Sequence, residues 1–95
     1  MDYAGLKKEI DDLCVEIVNV STLISNNHTV FRHTKMPVIK EAMMSQLRDN
    51  VRLAVKLTNG AKKLLQQLFT LENEQPDLKY RRLYRTLCEN QFPNI

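Results

Sequence analysis

A seven-residue register that continues across an Asn-Gly pair constrains this chain more than any other feature. Two sets of residues keep that spacing on both sides of the pair: Leu47, Ala54, Ala61 and Leu68, and Met43, Asn50, Leu57, Leu64 and Leu71. Asn59-Gly60 is a strong turn signal, but a reversal there gives no reason for the register to persist. A glycine inside a helix costs about 1 kcal/mol, less than losing the packed seam. The pattern therefore predicts one helix over about residues 37–71, roughly 50 Å long.

A second helix is predicted at the start of the chain. Its apolar residues follow a heptad seam: Leu6, Ile10, Leu13, Ile17, Val20 and Ile24. Asp2 can cap the first turn, because its carboxylate accepts from free backbone amides. The register reaches Asn27 and then Phe31, so the helix covers about residues 2–32. A buried, unbonded amide is costly, so we expect Asn27 to mark a bend or an early end.

Two prolines place the other helix boundaries. Pro37 suits the first position of the long helix, and Pro76 or Asp77 starts a third helix over about residues 77–91. The third helix has one apolar stripe: Tyr80, Leu83, Tyr84 and Leu87. The sequence therefore predicts a single all-α domain over residues 1–95, an antiparallel three-helix bundle with a long central helix.

The third helix is too short to cover the second. About 15 residues span roughly 22 Å, so part of the groove between the first two helices is expected to stay open. Either a fourth helix from elsewhere fills it, or the natural chain continues past Ile95. Gly60 precedes Ala61 on the inner side, where a small residue is expected to allow close helix approach.

Composition limits the compartment and the class of protein. No apolar run reaches the roughly 18–20 residues of a membrane span, and the N-terminus lacks a secretory pattern. We therefore expect a cytoplasmic protein, at membranes only through a partner. Cys14 and Cys88 are interpreted as reduced thiols rather than a disulfide, each acting as a small apolar residue beside a helical seam.

The sequence shows no sign of catalysis, a metal or a cofactor. His28 and His33 lack the paired ligands of a zinc site, and we interpret them as loop histidines. Neither cysteine has a base beside it in the pattern, and two glycines cannot form a phosphate-binding loop. We therefore predict that the protein is not an enzyme.

Charge is unevenly distributed along the chain. Residues 1–27 carry five acids and two bases, whereas residues 28–71 carry eight bases and two acids. Attraction between neighbouring helices of opposite charge explains this asymmetry, and an acidic partner such as nucleic acid or anionic lipid is the alternative. Val55 and Phe69 are expected on the outer side of helix two. The candidate partner-binding residues are Arg48, Val51, Arg52, Val55, Lys56, Lys62, Lys63, Phe69, Arg81, Arg82 and Arg85.

Two segments resemble a known family. "LAVKLTNGAKKLLQQL", residues 53–68, resembles the second helix of the syntaxin N-terminal Habc domain, with Val55, Lys56, Thr58, Lys63 and Leu65 at comparable positions. "EIVNVSTLI", residues 16–24, is similar to the end of such a first helix, and "LKYRRLYRTL", residues 78–87, to a shortened third. The resemblance implies a three-helix regulatory bundle in vesicle trafficking that folds back on a SNARE helix or recruits trafficking factors. This chain lacks SNARE heptads and a membrane anchor, and focal-adhesion-targeting, vinculin-like and BAG bundles match as well.

The expected function is non-catalytic protein binding in an adaptor or regulatory setting. An amphipathic helix or peptide would dock in a groove beside helix two, with basic residues steering an acidic partner. The alternative is nucleic-acid or anionic-membrane binding through the basic face of helices two and three, including "KYRRLYR", residues 79–85. Self-association is a third possibility.

Overall fold

The computed structural model describes residues 2–72 and 77–89, which form three helices. These are α1, Tyr3–His33, α2, Pro37–Glu72, and α3, Leu78–Glu89. The predicted all-α fold with three helices is confirmed. The predicted third helix reached residue 91, and its last two residues lie outside the described part of the chain.

Helix α2 continues through Asn59-Gly60 without interruption, as the register predicts. The expectation that Gly60 allows close helix approach is wrong, because a Cβ added there would meet nothing within 4 Å. The small residues that lie at the packed seam are Ala54 and Ala61, both 0% exposed.

Helix α1 does not end at Asn27. Its first turn is capped as predicted, since the Gly5 amide donates to Asp2 Oδ1 at 2.7 Å. The helix then runs past Asn27 to His33, which corrects the expectation of an early end. Ile24 is buried and Phe31 packs on the same apolar cluster, so contacts on both sides hold the helix across the asparagine.

The two rows of apolar residues on α2 differ in burial. Leu47, Ala54, Ala61 and Leu68 are each 0% exposed and form the seam with α1. The second row, from Met43 to Leu71, is only half-buried, and Leu71 is exposed. The sequence predicts that both rows belong to the seam with α1. The structure shows that the row from Met43 to Leu71 lies at the edge of that seam.

Helix α3 packs on the C-terminal end of α2. The rings of Phe69 and Tyr84 meet edge to face with centroids 5.7 Å apart, and Gln66 Nε2 donates to the Tyr84 hydroxyl at 3.0 Å. The expectation that Phe69 lies on the outer side of α2 is therefore wrong, because α3 covers it. At 1.5 Å per residue, the 12 residues of α3 cover about 18 Å of an α2 that is about 54 Å long.

Side chains near its N-terminus connect α3 to α1. The Tyr80 hydroxyl donates to Asp11 at 3.3 Å, Lys79 Nζ lies 3.7 Å from the same carboxylate, and Lys7 Nζ lies 5.6 Å from the centre of the Tyr80 ring. Tyr80 lies in the core cluster and Tyr84 packs against it, in agreement with the predicted apolar stripe. Asp11 pairs with Lys79, and Arg85 pairs with Glu89 within α3.

Candidate partner-binding surface

The face of the α1–α2 hairpin opposite α3 carries an uncovered apolar surface, which we call the open face. It comprises Leu13, Val20 and Leu23 of α1 and Leu53, Leu57 and Leu64 of α2. Leu23 and Leu53 are 43% and 45% exposed, and the other four are half-buried. The open face lies beside α2, where the sequence predicts a groove.

Helical geometry explains why this face is uncovered. Gln66 and Phe69 contact α3, so α3 lies on their flank of the α2 seam. With 3.6 residues per turn, Leu53, Leu57 and Leu64 fall on the opposite flank. Phe69, on the α3 flank, is half-buried against Tyr84, whereas no described helix covers Leu53 on the other flank, which is 45% exposed.

Two asparagines interrupt the apolar rows of the open face. Asn27 follows Leu13 and Val20 at seven-residue spacing on α1, and Asn50 precedes Leu57 and Leu64 on α2. The Nδ2 atom of each is buried and has no hydrogen-bond partner among the described residues. A buried donor without an acceptor destabilises the isolated chain.

Charges of opposite sign border the open face. Glu9, Asp12 and Glu16 lie along its α1 edge, and Lys56 and Lys63 along its α2 edge; all five are exposed. Asp49 lies further along the α2 edge, towards the N-terminus of that helix. None of the five border residues, Glu9, Asp12, Glu16, Lys56 and Lys63, forms an ion pair with another described residue. The two edges therefore present an acidic and a basic border to any molecule that lies between them.

A separate apolar cleft lies between α1 and α3. It has a volume of about 390 Å³ and is lined by Cys14, Ile17, Val18, Ser21, Thr22, Ser25, Leu83, Thr86 and Leu87. No α-carbon of residues 78–89 lies within 8 Å of one in residues 3–33, so only side chains bridge the two helices. Thr22 and Thr86 donate to the carbonyls of Val18 and Arg82, which leaves their methyl groups to line the cleft.

The two thiols have different environments. Cys14 is half-buried beside the cleft, and burial, followed by the nearby Asp11 carboxylate, raises the pKa of its thiol above the ordinary value of 9.0. A raised pKa keeps the thiol neutral and unreactive at pH 7. Cys88 is exposed, so the expectation that it lies at an apolar seam is wrong.

The residues predicted to bind a partner do not form one surface. Lys56 and Lys63 border the open face, whereas Val55 lies on the α3 flank beyond the end of α3. Val51 packs against the cluster of Ile24, Leu47 and Ala54, and Arg48 lines a hollow next to the α1–α2 connection. Lys62 is half-buried on the α3 flank, in the row of Val55 and Phe69. The remaining basic residues are exposed on the outer sides of α2 and α3: Arg52, Arg81, Arg82 and Arg85.

Sequence reasoning missed Leu23 and Leu53 as part of this surface. The sequence does carry one signal: Leu23 and Val30 lie seven residues apart on α1, outside the seam. Both face the side of α2 that carries Leu53. Both Leu23 and Val30 are exposed.

Within residues 2–72 and 77–89, no group of three or more His, Cys, Asp or Glu residues is placed to hold a metal ion. His28 and His33 both lie within α1 rather than in a loop. None of the three described helices has the length and apolar character needed to cross a bilayer. No protein-family model, curated protein or solved structure matches this chain.

Proposed function

We propose that this protein is a non-catalytic protein–protein interaction module that binds an amphipathic helix along the open face. The observation that carries the proposal is the contrast within α2 between a seam that is 0% exposed and a flank on which Leu57 and Leu64 are half-buried and Leu53 is 45% exposed. A fourth helix laid against α1 and α2 would bury that row and complete a four-helix arrangement.

The two unpaired amides also support a polypeptide partner. Asn27 and Asn50 each hold a buried donor at the edge of the same face. Side-chain oxygens of a docked helix are suitable acceptors, and satisfying a buried donor recovers the free energy that the isolated chain loses. A purely apolar ligand would leave both donors without partners.

Affinity capture from cell extract with matched variants tests this function. Leu53→Glu places a charge on the open face, whereas Val15→Glu places one at an exposed position on the outer side of α1; Val15 is 60% exposed. We expect one set of captured proteins to be lost with Leu53→Glu and retained with Val15→Glu, and an amphipathic helix from that set to compete for binding. Equal capture by the two folded variants would contradict the proposal.

The setting we propose is regulatory or adaptor function in the cytoplasm, in membrane trafficking. The support is the resemblance of residues 53–68 to the second helix of the syntaxin N-terminal domain. The three-helix architecture agrees with that resemblance and equally with other helical bundles. Trafficking proteins among the partners that depend on Leu53 would support this setting, and their absence would count against it.

A second candidate function is binding to nucleic acid or an anionic membrane. It is favoured by exposed cations on α2 and α3 that have no ionic partner among the described residues, namely Arg52, Lys56, Lys63, Arg81 and Arg82. A phosphate binder loses affinity steeply between about 50 and 200 mM salt, because binding releases counterions. Titration with RNA and with phosphatidylserine vesicles at both salt concentrations separates this function from docking on an apolar face.

A further inference from the structure

We propose that the open face binds the open face of a second copy of this chain, forming a symmetric dimer of two hairpins. This inference rests on the proposed function, since it names the occupant of the same surface. It is carried by the two charged borders and by their equal heights along the hairpin.

The charged borders require a partner with a specific arrangement. The α1 edge carries Glu9, Asp12 and Glu16, so the side of the partner above α1 should be basic. The α2 edge carries Lys56 and Lys63, so the side above α2 should be acidic. The chain itself presents one acidic and one basic edge, and a half-turn about an axis parallel to the hairpin places each edge over its opposite.

The heights of these charges along the hairpin also agree. Leu6, Ile10 and Ile17 of α1 share one core cluster with Ala61 and Leu65 of α2, so the acids and the lysines lie towards the same end of the hairpin. A half-turn about the long axis does not change height. The acids of one copy therefore lie level with the lysines of the other, and the apolar rows meet between them.

The apolar part of the open face is small, since Leu53 to Leu64 spans only about 17 Å of α2. We therefore expect an association at the weak end of the range, below the roughly 800 Å² per partner of a standard interface. Leu23 and Leu53, which are the most exposed residues of the face, would be buried in the dimer. An isologous contact of this kind closes on itself and leaves no surface for further growth.

A charge-swap experiment tests the dimer. One variant carries Glu9→Lys with Glu16→Lys, and the other carries Lys56→Glu with Lys63→Glu. In the proposed arrangement each variant alone opposes like charges, so its dimer Kd should rise by about tenfold or more relative to the unmodified chain. An equal mixture of the two restores opposite charges at both edges, so a heterodimer should form.

Sedimentation equilibrium between about 1 µM and 1 mM, with circular dichroism as the check on folding, provides the measurement. Arg81→Glu with Arg82→Glu, on the outer side of α3, is the matched control and should leave the dimer intact. A chain that stays monomeric throughout, or charge variants that dimerise like the unmodified chain, would overturn the inference. Neither result affects the capture experiment with Leu53→Glu, so the failure of the dimer and the failure of helix binding are distinguishable.

Discussion

The hydroxyl of Tyr80 donates a hydrogen bond to the carboxylate of Asp11 with a donor–acceptor distance of 3.3 Å, and this contact connects α3 to α1. Tyr80 is 4% exposed, so the bond lies at the edge of the core. The backbones of these two helices lie far apart, and such side-chain contacts account for their association.

Removing that hydroxyl should weaken the attachment of α3. We predict that Tyr80→Phe lowers the free energy of unfolding by about 1 kcal/mol, because a partly buried hydrogen bond to a carboxylate is lost. Tyr84→Phe is the matched control, since it removes an exposed bond to Gln66 and should cost less. Urea denaturation of both variants provides the comparison, and a larger loss with Tyr84→Phe would contradict the prediction.

The same tyrosine should make stability depend on pH at the alkaline end. Burial, followed by the charge and hydrogen bond of Asp11, raises the pKa of Tyr80 above its ordinary value of 10.0. The folded state therefore holds the proton more tightly than the unfolded chain. The protonated hydroxyl therefore adds to the free energy of unfolding; this addition is fully present below pH 10 and is lost as the pH rises through the folded-state pKa.

Unfolding free energies of the unmodified chain and of Tyr80→Phe, measured from pH 8 upwards, test this dependence. The difference between the two proteins should be constant up to about pH 10 and should shrink above it. Other alkaline titrations, including that of Cys14, occur in both proteins and cancel. A difference that grows above pH 10 would contradict the assignment.

Gly60 should accept a larger residue. We predict that Gly60→Ala raises the free energy of unfolding by up to about 1 kcal/mol, because alanine is the better helix former and its Cβ meets nothing within 4 Å. Thermal unfolding followed by circular dichroism provides the measurement. Ala61→Leu is the contrasting variant: Ala61 is 0% exposed, so added methyl groups should destabilise by about 1–3 kcal/mol.

The two rows of α2 should respond differently to truncation. Leu47→Ala should cost about 2–5 kcal/mol, since Leu47 is 0% exposed and its removal leaves a cavity. Leu53→Ala should cost less than about 0.5 kcal/mol, because Leu53 remains in contact with water. Chemical denaturation at one protein concentration checks both values, and similar costs for the two variants would contradict the open face.

The two cysteines should react at different rates. Cys88 is exposed, whereas Cys14 is half-buried and the pKa of its thiol is raised, so iodoacetamide at pH 8 should modify Cys88 first. Mass spectrometry of peptides sampled over time shows the order. Faster modification of Cys14 would contradict the described position of α3 beside the cleft.

Helix existence and continuity followed from the sequence because they depend on local spacing. The register predicts a single α2 across Gly60, and Asp2 and Pro37 mark helix starts that the structure confirms. Which row of a helix is covered depends instead on where the next helix lies. The period alone predicts Phe69 on the outer side of α2, because it does not show that Tyr84 packs on this ring.

The open face was predictable only in part for the same reason. The short third helix indicates that apolar surface beside α2 stays uncovered. It does not indicate the flank, since Phe69 on one side of the seam and Leu53 on the other are both apolar. Helix α3 covers Phe69 and leaves Leu53 45% exposed. The cleft beside Cys14 depends on the separation of two backbones, which no sequence pattern reports.

Protection of residue 53 from alkylation tests the open face as a docking surface most directly. Leu53→Cys and Val15→Cys are each introduced into a chain in which Cys14 and Cys88 are replaced by alanine, and alkylation is timed in buffer and in cell extract. Both positions are exposed in the isolated chain, at 45% and 60% for the native side chains, so both should react in buffer at a protein concentration that keeps the chain monomeric. In extract, residue 53 should become protected while residue 15 stays reactive. Equal reactivity of the two positions in extract would contradict docking on the open face.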